Sequence, residues 1–132
     1  AQALIKLKTS LKNDIVVPRL LLDSGVLFDP GEFALKPRAQ AEFAKVAQFV
    51  QLFSPAKLVI EGHTDSDGED VSNFRLSEQR AGEIRQYLIN NYAFISAAMI
   101  EARGFGESRP LVSNDTPENK ALNRHLEVII WE

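Results

Sequence analysis

The sequence predicts an α/β two-layer sandwich, in which helices cover one face of a mixed β-sheet. Runs of branched aliphatic residues, typical of buried strands, alternate with two longer runs in which apolar residues recur at helical spacing. Helices between strands cover a sheet face, and right-handed crossovers make the strands that flank each helix parallel. The predicted element order is therefore β-α-β-α-β-β, in a chain of 132 residues that is large enough for one core.

Four strands are predicted. The first lies in residues 14–31, and Pro18, which lacks an amide hydrogen, makes it an edge strand that is followed by a turn and a short extended piece. Residues 57–63 (KLVIEGH) have the composition of a buried strand. The last two strands are expected within residues 97–110 and 123–131, with a polar loop between them.

Two helices are predicted from apolar periodicity. In residues 35–55, Pro37 stands near the first turn, where its missing N–H costs nothing, and Ser54-Pro55 end the helix. The buried stripe of this helix is predicted to be Phe43, Val46, Ala47, Val50 and Phe53. Residues 72–91 form the second helix, whose apolar side chains span about a third of the helical wheel.

Residues 1–13 are predicted to be a helical connector to an upstream region, and residues 14–132 the domain itself. In AQALIKLKTSLK the apolar residues follow helical spacing, with lysines between them. The segment is too short for a stable helix on its own, so it either continues an upstream segment or packs on the domain. Because the chain begins at Ala1 without a methionine, we expect a fragment in which any contact with a membrane lies upstream.

Composition narrows the classes of function. The net charge of −3 provides no basic surplus for phosphate contacts, so nucleic acid is not an expected partner. The sequence has no cysteine and hence no disulfide framework. It also lacks the run of about 18 apolar residues that would predict a membrane span. It contains no recognisable enzyme motif, so we expect a non-catalytic protein without a cofactor or metal.

Arg80 interrupts the apolar stripe of the second helix. A permanent cation at this position points toward the sheet, and Asn73 shares its face of the helix. Thr64 and Asp65 follow the carboxyl end of the second strand, close to the start of this helix, and ligands commonly bind at such strand ends. The predicted pocket consists of Thr64, Asp65, Asn73 and Arg80.

Asp65 and Arg80 have two interpretations. Either Asp65 neutralises a buried Arg80 in an internal salt bridge, or both residues hold a ligand. Breaking a buried ion pair costs several kcal/mol whereas forming one gains little, so stability alone is a weak reason for such a pair. At the rim of a cleft, the two groups suit a zwitterion whose carboxylate binds the arginine in a fork and whose ammonium binds Asp65.

Two metal hypotheses are weak. DSDGED (65–70) is similar to a calcium loop, but position twelve of that loop is Leu76 rather than a bidentate glutamate. His63 could hold a metal together with Asp65 and Asp67, or act as a general base, but no third ligand or nucleophile stands out in the sequence. We therefore expect a structural histidine that is hydrogen-bonded at the strand end.

Five segments, in order, carry a family resemblance: LFDPGEFALKP, IEGHTDSDG, NFRLSEQRA, GFGESRP and NRHLEV. Together they resemble the peptidoglycan-binding domain of the OmpA/Pal/MotB family over residues 15–131. GHTD followed by NxxLSxxRA is a specific composite signature. The resemblance implies the sandwich described above, located in the periplasm as part of a membrane-anchored envelope protein.

The resemblance also implies a ligand, the diaminopimelate residue of the peptidoglycan stem peptide. Asp65 and Arg80 would grip its zwitterionic end. The remaining pocket residues implied by the family are Asn73, Phe28, Asp29 and Arg124. The function expected from the resemblance is non-covalent anchoring of an envelope protein to the cell wall.

Departures from the family pattern keep an alternative open. Pro30-Gly31 follow the FD of LFDPG, and His125 stands where the family has a second arginine. The alternative is a structural or assembly domain that has the same fold, binds other proteins and does not bind the wall. The sequence leaves open the outer-membrane and flagellar-stator branches, homodimerisation, and gating of the site.

Overall fold

The computed structural model describes residues 4–9, 16–55 and 57–131. The strands in these ranges are β1 (Leu4–Thr9), β2 (Val16–Asp23), β3 (Lys57–His63), β4 (Ile100–Gly106) and β5 (His125–Trp131). The helices are α1 (Ser24–Leu27), α2 (Ala39–Phe53), α3 (Asp70–Asn91) and α4 (Pro117–Asn123), with a single 3₁₀ turn at Ala97–Met99.

The strands form one mixed sheet in the order β1-β2-β5-β3-β4. β3 and β4 are parallel, and they are joined by α3, as the crossover rule predicts. β5 returns between β2 and β3 and is antiparallel to both. The predicted mixed sheet and the element order β-α-β-α-β-β are confirmed for β2 to β5, α2 and α3.

The core lies between the sheet and the two long helices. Side chains alternate between the two faces along a strand, so Leu20 and Leu22, or Leu58 and Ile60, point to the same side. These residues form one buried cluster with residues of α2 and α3: Phe43, Val46, Val50, Ala81, Ile84 and Leu88. The predicted stripe of α2 is confirmed except at its end, where Phe53 is 39% exposed.

The helical prediction for the N-terminal segment is wrong at Leu4–Thr9. These residues form β1, which pairs with β2 in antiparallel register from Leu4 opposite Leu21 to Thr9 opposite Val16. IKLK alternates apolar and charged residues, which also fits the two-residue period of a strand, and pairing with β2 satisfies its backbone polar groups. The rest of the predicted connector lies outside the described residues.

Pro18 does not mark an edge strand, because β2 lies inside the sheet. The pairing of β2 with β5 covers Arg19 to Asp23, and Pro18 lies just outside it, opposite Leu7 of β1. The missing N–H therefore falls beyond the β5 ladder.

Short helices replace two segments that were predicted to be irregular. α1 follows β2 directly, because the side chain of Asp23 accepts a hydrogen bond from the N–H of Gly25 at 2.8 Å. α4 forms within the predicted polar loop, where Thr116 caps the helix and Pro117 occupies its first turn. α3 also begins earlier than predicted, at Asp70.

Candidate functional site

Arg80 is buried, and backbone oxygens hold its guanidinium. Its side chain packs with the guanidinium carbon 4.8 Å from the centre of the Phe28 ring. Nε donates to the carbonyl of Glu32 at 2.8 Å, and Nη2 donates to the carbonyl of Asp29 at 3.1 Å. Within the described ranges, no carboxylate forms an ion pair with it at 4.0 Å or less. The internal salt bridge between Asp65 and Arg80 is therefore excluded.

The environment of Arg80 suits an incoming anion. Burial, followed by the positive charge of Arg124, lowers the pKa of Arg80, and Glu32 acts in the opposite direction. An arginine remains protonated despite such a shift. The two carbonyls occupy Nε and one N–H of Nη2, so the end of the fork formed by Nη1 and Nη2 can still bind a carboxylate.

Asp65 pairs with Arg124 instead of Arg80. Its Oδ2 accepts a hydrogen bond from Nη1 of Arg124 at 2.5 Å, and its Oδ1 accepts one from the N–H of Asp67 at 2.9 Å. Asp65 is 7% exposed, whereas the side chain of Arg124 is 45% exposed. The partner of this buried carboxylate is thus a long, half-exposed side chain. A ligand ammonium can take its place or bind beside it.

Thr64 and Asn73 hold the loop that follows β3. The N–H of Thr64 donates to the carbonyl of Gly106 at 2.9 Å, and its hydroxyl donates to the carbonyl of Asp65 at 2.9 Å. The amide of Asn73 donates to the carbonyl of Asp67 at 2.8 Å. Both side chains fix the position of the Asp65 carboxylate by binding the backbone around it.

Close packing of α3 on the sheet brings Asn73 and Arg80 to the strand end. A Cβ at Gly62 would lie 2.4 Å from the carbonyl oxygen of Ser77, and one at Gly104 would lie 2.5 Å from the Ser77 hydroxyl. Ser77 is buried, and its hydroxyl accepts a hydrogen bond from the N–H of Gly106 at 2.9 Å. Only glycine permits this approach of helix and strand backbones.

A cavity of about 540 Å³ lies at the carboxyl end of β3. Six of the seven predicted site residues line it: Phe28, Thr64, Asp65, Asn73, Arg80 and Arg124. The exception is Asp29, whose side chain is 69% exposed and lies 3.7 Å from Nζ of Lys36, while its carbonyl binds Arg80. Asp29 thus contributes its backbone carbonyl, while its side chain faces solvent.

Sequence reasoning missed two charged residues of the cavity wall, Lys36 and Asp67. Nζ of Lys36 donates to the carbonyl of Gly25 at 3.2 Å, and Asp67 accepts a hydrogen bond from Lys120 at 2.9 Å. Asp67 could have been found, because it follows Asp65 in DSDG. Lys36 has no such signal, because its position depends on how residues 28–36 turn back over the strand end.

Fold and cavity together define a class: an α/β domain with a cavity at the end of a parallel strand. The cavity is lined by a buried arginine that has no carboxylate partner among the described residues. The chain belongs to the OmpA family, whose family model matches residues 27–124. This confirms the resemblance drawn from the five segments.

Among curated relatives, the chain is 39% identical to outer membrane porin F of Pseudomonas aeruginosa over 111 residues. The match covers 84% of this chain and 31% of the porin, so the chain spans about a third of that relative's length.

Two solved structures support the fold. A MotB-like protein from Desulfovibrio vulgaris superposes with a TM-score of 0.77 at 28% identity, covering 96% of this chain and 77% of that one. The peptidoglycan-associated lipoprotein from Burkholderia pseudomallei superposes with a TM-score of 0.66 at 25% identity, covering 79% of this chain and 86% of that one. The relatives thus include both branches that the sequence left open. None of the described helices combines the length and the apolar character that crossing a membrane requires.

Proposed function

We propose that this chain binds peptidoglycan non-covalently, through the diaminopimelate residue of the stem peptide, and anchors an envelope protein to the cell wall from the periplasm. The observation that carries the proposal is Arg80, a buried cation without a carboxylate partner among the described residues, on the wall of a cavity that also contains Asp65. A buried charge without a counter-ion is costly, and a ligand carboxylate would supply one. A structural neighbour is a peptidoglycan-associated lipoprotein.

The two ends of the site match the free end of diaminopimelate. Its carboxylate would bind the Nη1–Nη2 end of Arg80, and its ammonium would lie against Asp65, where Arg124 now binds. A lysine-type stem peptide offers the ammonium and lacks the carboxylate. It would leave Arg80 unpaired, and a buried group left unpaired lowers affinity by roughly 10- to 100-fold.

Titration of the chain with diaminopimelate and with a lysine-type stem peptide tests this proposal by calorimetry and backbone amide shifts. We expect saturable binding of diaminopimelate, with shifts at Thr64, Asp65, Asn73 and Arg80, and much weaker binding of the lysine-type peptide. Equal affinity for both ligands would contradict the carboxylate contact. No heat and no shifts with either ligand, from a folded sample, would favour the assembly domain.

Arg85 provides a matched control within α3. Like Arg80 it donates from Nε and Nη2 to backbone carbonyls, those of Ile100 and Ala97, at 2.9 Å in both cases, but it lies outside the cavity. We expect Arg80→Ala to abolish binding of diaminopimelate and of sacculi while the chain remains folded by circular dichroism. Arg85→Ala should bind as the unchanged chain does. Normal binding by Arg80→Ala would show that Arg80 is not a ligand contact.

A further inference from the structure

Five ionisable side chains are buried together on the sheet face opposite the helices. Arg19 lies on β2, Glu61 and His63 on β3, and His125 and Glu127 on β5. Their side chains are between 3% and 11% exposed. Arg19 forms a hydrogen bond to Oε1 of Glu127 and lies 3.8 Å from Oε1 of Glu61. We call this group the histidine cluster; the ligand cavity does not include any of its members.

Both ring nitrogens of His125 face atoms that only accept hydrogen bonds. Nδ1 lies 3.2 Å from the carbonyl oxygen of Asn123, and Nε2 lies 2.8 Å from Oε2 of Glu127. Burial by itself raises the pKa of Glu127, but hydrogen bonds and charges from His125 and Arg19 outweigh it and lower this pKa to about 2. Glu127 is therefore an ionised acceptor at neutral pH. Two acceptors on one imidazole require a proton on each nitrogen.

The charges of the histidine cluster balance if His125 is an imidazolium. Glu61 and Glu127 carry two negative charges, and Arg19 and His125 then carry two positive ones. His63 stacks flat on His125, with ring centres 4.5 Å apart and planes 2° apart, and its second stacked neighbour is Phe105, at 5.4 Å. Its Nε2 lies 3.4 Å from Oε1 of Glu61 and 3.7 Å from Oε2 of Glu127, and one N–H of a neutral ring is enough for these contacts. A neutral ring suits this position, because a second stacked cation would be repelled.

Among the described side chains, three more charged groups border the histidine cluster. Arg103 of β4 is opposite Glu61 in the strand register, but its guanidinium pairs with Glu101. Asp23 of β2 is opposite His125 in the strand register, but its carboxylate caps α1 through the N–H of Gly25. The guanidinium of Arg109 lies 3.8 Å from the centre of the Phe105 ring and adds a positive charge beyond it. The positive charge of Arg109 further favours a neutral His63, so His125 is the charged ring.

A metal ion fits the histidine cluster less well than a proton. Donor atoms of His63, His125 and Glu127 do lie within 4.8 Å of one another. However, the lone pairs of the two rings lie in the ring planes, and planes only 2° apart and stacked do not direct them to a common point. Arg19 already neutralises Glu127.

The histidine cluster is joined to the ligand cavity through the backbone. His125 directly follows Arg124, and His63 is followed by Thr64 and Asp65. We propose that His125 is a buried imidazolium at neutral pH and that this cation positions Arg124 and Asp65 at the cavity. The protonation state stands on geometry alone, whereas its effect on a ligand rests on the proposed function. Loss of one proton at higher pH leaves the other on Nε2 beside the Glu127 carboxylate, so Nδ1 becomes an acceptor that faces the carbonyl of Asn123, the residue before Arg124.

Imidazole ¹⁵N spectra of the 132-residue chain, recorded from about pH 6 to about pH 9, test the protonation state in the range in which histidines titrate. We expect both nitrogens of His125 to be protonated at about pH 7 and one proton to be lost at higher pH. The amide shifts of Asp65 and Arg124 should follow the same curve. A neutral His125 at about pH 7, or amides that do not follow it, overturns the proposal.

Ligand affinity provides the second readout. We expect the dissociation constant for diaminopimelate to rise about fivefold or more as His125 loses its proton, the lower end of common coupling between sites. His125→Gln should bind diaminopimelate weakly with a flat pH profile; if this variant does not fold, the spectra of the unchanged chain decide.

Zn²⁺ bound at one equivalent with a loss of the Nε2 proton would overturn the proposal in favour of a metal site. Absence of ligand binding at every pH would refute the proposed function and leave the result on His125 and the amide shifts intact.

Discussion

A buried arginine defines the character of the candidate site at the scale of single residues. Arg80 is buried by Phe28 and oriented by the carbonyls of Asp29 and Glu32, so its geometry exists before any ligand arrives. Preorganised donors cost little to orient on binding. Asp65 differs, because its partner Arg124 is half exposed and reaches the carboxylate from the start of β5.

The contrast between the two charges leads to a prediction for Asp65→Asn. An ion pair with an exposed partner contributes little to stability, so the free energy of unfolding should fall by about 1 kcal/mol or less. The affinity for diaminopimelate should fall roughly 10- to 100-fold, because the ammonium loses a charged acceptor. Urea unfolding and calorimetry on the same samples measure the two effects.

Asp67→Asn is a matched control for this substitution. Asp67 also lines the cavity and also accepts a hydrogen bond from a partly exposed cation, Lys120. Its carboxylate is 66% exposed, so it should affect affinity much less than Asp65. Equal losses from both variants would indicate that the ligand responds to overall charge and not to a contact with Asp65.

At the scale of elements, the position of the site depends on how closely α3 approaches β3 and β4. Gly62→Ala would place a methyl group 2.4 Å from the backbone oxygen of Ser77, which cannot move without moving the helix. We expect a loss of about 1–3 kcal/mol in the free energy of unfolding, together with weaker ligand binding because Arg80 moves with α3.

Gly82→Ala is the control within the same helix, since a Cβ there meets no atom within 4 Å. It should be neutral or slightly stabilising, because alanine is the better helix former. Thermal unfolding of both variants separates a steric effect from a general effect of removing glycine. Unchanged stability of Gly62→Ala would mean that the helix and strand can separate at little cost.

The sequence predicts those features of the site that depend on neighbouring residues, and it does not predict those that depend on residues far apart in the chain. The burial of Arg80 is a local property of helical spacing, and it is confirmed. Its partners are not local: Glu32 and Asp29 are 48 and 51 residues away, in the loop between α1 and α2. The strand β1 was missed for the same reason, since its pairing with β2 overrides a helical pattern.

At the scale of the whole molecule, the sheet buries apolar side chains on one face and the histidine cluster on the other. The cluster connects β2, β5 and β3, the three strands at the centre of the sheet. Since such clusters are stable only while every member keeps its charge or partner, acid should destabilise the whole chain through them.

Glu127 allows this acid sensitivity to be predicted with its sign. Hydrogen bonds from His125 and Arg19 overcome the effect of burial and lower its pKa from 4.5 to about 2. A carboxyl group whose pKa is lower in the folded chain stabilises the fold above about pH 4.5, and this contribution disappears as the pH falls toward 2. We expect it to be about 2 kcal/mol at neutral pH. The free energies of unfolding of the unchanged chain and of Glu127→Gln, measured in urea, should therefore differ at neutral pH and converge near pH 2. Glu83→Gln is the control, because Glu83 lies on the exposed side of α3, and its free energy of unfolding should equal that of the unchanged chain throughout. A constant difference across this range would show that Glu127 acts through packing and not through its charge.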